Sequence, residues 1–86
     1  MLIQDTFELE SRGTVVTGII NVKKITAGSD VVIYDRDGNF KGVCELVAIE
    51  MNRKLLQEAF LNDEVGLLLN TLHFETKPQV RDTIVF

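Results

Sequence analysis

The stretch SRGTVVTGII, Ser11 to Ile20, constrains the fold more than any other part of the chain. It holds two glycines, three serine or threonine hydroxyls and four β-branched aliphatics in ten residues. β-Branched side chains are stiff at χ1 and fit a pleated, half-buried surface better than a helix. Around this stretch the residues alternate. Phe7, Leu9, Val15, Thr17 and Ile19 keep one phase, and Glu8, Glu10, Arg12 and Thr14 keep the other. Gly13 and Gly18 interrupt the pattern, as glycines do at a bulge, a bend or a close backbone approach. A glycine-rich run beside threonines also invites comparison with a phosphate cradle. The P-loop pattern requires a lysine directly after the second glycine, and Ile19 stands there. The run therefore fails as a P-loop and keeps the strand alternation, its glycines marking a bulge, a bend or a close approach.

The rest of the chain repeats the strand signature. TAGSD, Thr26 to Asp30, is a turn. Val31 to Tyr34 is a short β-rich run, and Asp37-Gly38 is the signal for a two-residue hairpin turn. Phe40 to Met51 is a long second arm. NRKLLQEAFLNDE, Asn52 to Glu64, alone has helix-forming composition and is read as a loop with one helical turn. EVGLLLNTLHF, Glu64 to Phe74, returns to strand, Pro78 lies in a polar connection, and Thr83 to Phe86 forms the last strand. Short strands with frequent turn signals favour a sandwich or a barrel. A β-domain without disulfides avoids open edges best by closing on itself. The expectation is one all-β domain spanning residues 1–86, a closed antiparallel barrel of six to seven strands.

Composition limits function. Eighty-six residues suit one domain with a modest core, burying ~60–65% of the unfolded surface. No apolar run reaches membrane-spanning length, and MLIQDTFELE lacks a signal-peptide pattern, so a cytoplasmic protein without membrane contact is expected. A net charge of −4 argues against bulk attraction to a nucleic-acid backbone, but not against holding one strand end in a small pocket. Cys44, the single cysteine, lies in an apolar run and is read as a buried inert thiol. One cysteine and one histidine do not make a zinc site. YDRDGNF fails as a calcium loop, because Phe40 and Leu46 stand where glycine and a bidentate acid are needed. His73 has no nucleophile paired with it and is read as a solvated rim residue. Asp63 and Glu64 read as a solvated turn. These residues point to a non-enzyme without cofactor.

Several segments together carry a family resemblance. SRGTVVTG is similar to the GRGTVVTG that opens domain 2 of elongation factor Tu and related translation GTPases. AGSDVVI resembles that family's turn before its next strand, IEMNRKLLQEA resembles VEMFRKLLDEG, and NDEVGLLL resembles GENVGVLL. The segments follow in family order and span about Thr6 to Phe86. The resemblance implies a closed six- or seven-stranded barrel, with no GTPase domain in this chain and hence no GTP binding.

In the family, domain 2 holds the aminoacylated 3′ end of transfer RNA, with the terminal adenine in a small pocket. Single-stranded ends are recognised by stacking and edge contacts. By resemblance, that site would use Leu9, Ser11, Val15, Glu50, Asn52, Arg53, Glu64 and Leu68. Leu9, Val15 and Leu68 would form apolar walls, Glu50 would cover the base or accept hydrogen bonds near the ribose, and Asn52, Arg53 and Glu64 would lie near the aminoacyl group. Ser11 replaces a family glycine, Asn52 an aromatic residue or histidine, and Glu64 an asparagine. Lys23, Thr71 and Asp82 stand at turn positions where glycine is common. A left-handed backbone at these three would cost on the order of 1 kcal/mol each. Three readings remain open: an interaction module linked to translation, with a protein partner or a second copy of the chain; a weak binder of the aminoacyl-tRNA 3′ end; and a truncated relic without activity.

Overall fold

The computed structural model describes residues 1–86 and contains strands but no helix, so no helix is long and apolar enough to cross a membrane. The strands are β1 (Asp5–Leu9), β2 (Gly13–Ile19), β3 (Lys24–Thr26), β4 (Asp30–Tyr34), β5 (Phe40–Met51), β6 (Lys54–Leu56), β7 (Glu58–Phe60), β8 (Glu64–Leu69) and β9 (Thr83–Val85). One seven-stranded sheet runs β1-β2-β8-β5-β4-β9, with β6 attached to β5; β3 and β7 form a separate pair. Every pairing is antiparallel.

The all-β, antiparallel expectation holds. Ring closure does not appear in the ladders, whose path ends at β1 and β9. The first four residues form no regular strand but bond both to the β9 region and to β2. Leu2 bridges Thr83. The Ile3 N–H donates to Asp82 O, Arg81 N–H to Ile3 O, Ile84 N–H to Met1 O, and Gln4 N–H to Thr17 O. The Met1 ammonium donates to Ile84 O at 2.6 Å, and burial lowers its pKa.

Burial settles which phase faces inward. On β2, Thr14, Val16 and Gly18 are buried, followed by Ile20. Val15, Thr17 and Ile19 point outward. The phase that looks more apolar in sequence, running from Phe7 through Ile19, is therefore the outer one, with Phe7 57% exposed. The inner phase joins Ile3, Ile33, Leu46, Ile49, Leu67 and Ile84 in a core cluster of 16 residues. Each fully buried aliphatic of this size contributes about 1.5–3 kcal/mol against the entropy of ordering the chain. Thr14 is the polar member of the β2 inner phase. Its hydroxyl donates to Glu8 Oε1 at 2.6 Å and shares a 2.7 Å hydrogen bond with the Thr71 hydroxyl.

Both glycines of the opening motif are required by close approaches. A Cβ on Gly13 would overlap the Leu69 carbonyl oxygen. One on Gly18 would lie 2.7 Å from Leu2 O and 2.9 Å from Met1 Sδ. Gly18 thus leaves room for the N-terminal residues to cross β2.

Three local expectations are corrected. Asp37-Gly38 lies at the hairpin tip as expected, with Gly38 at φ 85°, but the tip is wider than two residues. The connection runs over 35–39, because the Asp35 carboxylate accepts the N–H groups of Asp37 and Asn39 and organises a wider turn. Those hydrogen bonds, chiefly the one from the Asn39 backbone, hold the Asp35 carboxyl below the usual range. NRKLLQEAFLNDE contains no helical turn. Pairing of Met51 with Lys54 makes Asn52-Arg53 a two-residue hairpin tip, with φ of 54° and 65° as a type I′ turn requires. Ala59 pairs with Ile25 and is fully buried, so tertiary pairing overrides helix propensity. Lys23, Thr71 and Asp82 have no positive φ; near the chain's end the left-handed residue is Arg81, at 77°. Thr71 and Asp82 are instead buried and paired. Asp82 accepts from Lys41 at 2.6 Å and from the Gln79 N–H at 2.8 Å.

Candidate binding depression on the outer face

A bulge builds the site. Register shifts between Leu46 and Ala48, so Val47 is an extra residue in β5. Leu46 and Ile49 are both buried, three positions apart. Strict alternation from Leu46 would turn Glu50 into the core. The bulge sends Ala48 and Glu50 to the outer face, the re-aiming that bulges commonly provide near functional sites.

On that face, Val15, Leu68 and Ala48 lie side by side across β2, β8 and β5. The next row places Gly66 beside Glu50, and Glu50 beside Leu55 of β6. The nearest atom to a Cβ on Gly66 would be Val15 Cγ1 at 3.9 Å, an ordinary contact. The missing side chain therefore leaves a hollow rather than relieving a clash. With Leu9 and Arg12 these residues enclose a depression of about 340 Å³, at the small end of ligand-site volumes. Its floor is apolar, Leu55 is 76% exposed on one side, and Arg12 and Glu50 bring opposite charges. The ion pairs of the chain are Lys24–Glu58 and Lys41–Asp82, so neither Arg12 nor Glu50 is held in a direct ion pair.

Leu9, Val15, Glu50 and Leu68, four of the residues singled out by resemblance, meet in this depression. The others surround it without lining it. Ser11 sits in the turn between Leu9 and Arg12, where the Arg12 N–H donates to Leu9 O at 3.0 Å. Asn52 and Arg53 form the tip of the hairpin beyond Glu50 and Leu55. Glu64 lies farther along β8, opposite Ile19. Ser11 and Arg53 hold left-handed backbone angles, both at 65°. Such angles are uncommon for residues other than glycine, asparagine and aspartate. Backbone strain concentrates at working surfaces.

Arg12, Ala48, Leu55 and Gly66 escaped sequence reasoning. Leu55 fell in the segment read as a loop. Ala48 and Gly66 carry no chemical signal, and Arg12 fell in the phase opposite Leu9 and Val15 until the turn at Ser11 shifted it.

A larger cleft of about 630 Å³ separates the β4–β5 hairpin from residues 73–82. Lys41, Asp82 and His73, among its polar residues, are already engaged. Lys41 donates to Asp82 and to Lys77 O, and His73 Nε2 bonds Val43 O. Around these three residues the cleft is a structural seam. Cys44 is buried, and its thiol pKa is pushed up to about 11, first by burial and then by the Asp30 carboxylate. A scan against protein-family profiles finds no match for the chain.

Proposed function

We propose that this chain is a non-catalytic binding module of the barrel type found as domain 2 of elongation factor Tu, and that it works through the outer depression. Closure of the sheet into that barrel is supported by the main-chain hydrogen bonds of Met1–Gln4 to the β9 region and β2. The observation carrying the functional reading is the convergence of Leu9, Val15, Glu50 and Leu68 on one hollow floored by Gly66 and Ala48. Its chemistry suits a flat, partly apolar group with hydrogen-bond donors: the floor stacks or packs, and Glu50 accepts. The ligand this fits is the terminal adenosine of an aminoacylated RNA 3′ end. One stacked base contributes ~1–3 kcal/mol, little against the cost of association. The isolated chain therefore binds such an end no tighter than about millimolar.

An NMR titration with a short aminoacylated CCA-ended RNA, beside its deacylated form, tests this. Shifts should centre on Val15, Ala48, Gly66 and Leu68 and diminish in Glu50→Ala. Shifts confined to another face would place the function elsewhere. A second reading, a protein partner on the same surface, is favoured by the exposed Phe7 and Leu55 flanking the hollow. It would show as binding that responds to Leu55→Ser but not to RNA.

A further inference from the structure

We propose that Arg12 is a specificity-determining residue of the outer depression, holding the phosphate of a nucleotide whose base lies on the Val15–Leu68 floor. The inference rests on the nucleoside-end reading above and adds the part of the ligand that reading leaves unheld.

Arg12 is anchored from several sides. Its N–H donates to Leu9 O at 3.0 Å. It follows Ser11, held at φ 65°. It precedes Gly13, whose position is fixed by the approach of the Leu69 carbonyl and by pairing with Leu9. A long side chain on such a base explores less space than one on a free loop. Glu8 and Glu10 precede it in sequence, yet none of the chain's carboxylates forms an ion pair with its guanidinium. Glu8 is turned away, accepting from Thr14. An unpaired guanidinium beside an apolar floor is suited to phosphate, because its planar fork of donors matches phosphate oxygens bidentately and it is weakly hydrated.

The arrangement also orients the ligand. Glu50, in the same depression, repels an anion and accepts N–H or O–H groups. The phosphate therefore lies at the Arg12 end, and the base amino group or ribose hydroxyls at the Glu50 end. With a net charge of −4, the chain offers no general attraction for anions, so phosphate preference must be local to this residue.

The test compares adenosine, 5′-AMP and inorganic phosphate as ligands of the full chain by NMR titration at low salt. AMP should bind about tenfold more tightly than adenosine, the gain of one charge-assisted contact, and raised salt should shrink the ratio. Phosphate alone should not saturate. Arg12→Gln should bring the AMP-to-adenosine ratio close to one. Arg12→Lys should restore part of it, since charge returns without the fork. Arg12 is exposed, and a dispersed amide spectrum of each variant verifies its fold. A ratio of one in the parent chain, or a ratio untouched by Arg12→Gln, overturns the role of Arg12 while leaving the nucleoside-end reading intact. Failure of both adenosine and AMP to bind the parent chain overturns the nucleoside-end reading and this inference with it.

Discussion

An alanine at position 13 would drive its methyl group into the Leu69 carbonyl oxygen, with Leu69 C at 3.1 Å and Asn70 Cα at 3.3 Å. All are backbone atoms, held by the ladder between Thr14 and Leu69, so none can swing aside as a side chain would. Gly13 also has φ of 131°. Gly28 supplies an internal control: its φ is 96°, but a methyl group there would meet nothing within 4 Å. Gly28→Ala should therefore report backbone strain alone, about 1–2 kcal/mol. Gly13→Ala adds an overpacking penalty of ~1–3 kcal/mol, about 2–5 kcal/mol in all. A chain of this length has a total stability of roughly 4–13 kcal/mol, so the larger values approach unfolding. Guanidinium unfolding followed by far-ultraviolet circular dichroism reads the difference. With a slope of about 2 kcal/mol/M, the midpoint should fall by about 0.5–1 M for Gly28→Ala and about 1–2.5 M for Gly13→Ala. Equal shifts would refute the reasoning, because they would mean that the approach of Leu69 contributes nothing.

The Lys41–Asp82 pair is almost fully buried, with side chains 10% and 4% exposed. Lys41→Met or Asp82→Leu alone should cost about 3–5 kcal/mol, and the Lys41→Met/Asp82→Leu double variant less than either, as a double-mutant cycle by chemical denaturation would show. Ser11→Gly and Arg53→Gly should each stabilise the chain by about 1 kcal/mol by relieving a left-handed backbone, measurable as a raised unfolding midpoint. Cys44 should resist a disulfide reagent in the folded chain and react on unfolding. Its raised pKa gives a stabilisation fully present below about pH 9, the ordinary thiol value, and lost as pH rises through about 11. Unfolding midpoints measured across that range should fall faster for the parent than for Cys44→Ala.

The period-two runs and turn signals were enough to establish an all-β chain. They also marked Phe40–Met51 as one continuous arm, because alternation and turn chemistry are properties of neighbouring residues. Which phase faces inward was not legible. Val15 and Val16 are equally apolar and both pair with β8; only the packing of distant strands into the core cluster buries Val16 and leaves Val15 outside. The resemblance brought Leu9, Val15, Glu50 and Leu68 forward as one depression, but alternation alone did not place them on one surface. That depends on the extra residue at Val47, since a bulge exists only relative to the register of a partner strand. Arg12 and Leu55 joined the depression through a turn and a hairpin whose residues have no special local signature. The hollow itself comes from Gly66, where the neighbouring strands supply no side chain to fill the space above its Cα.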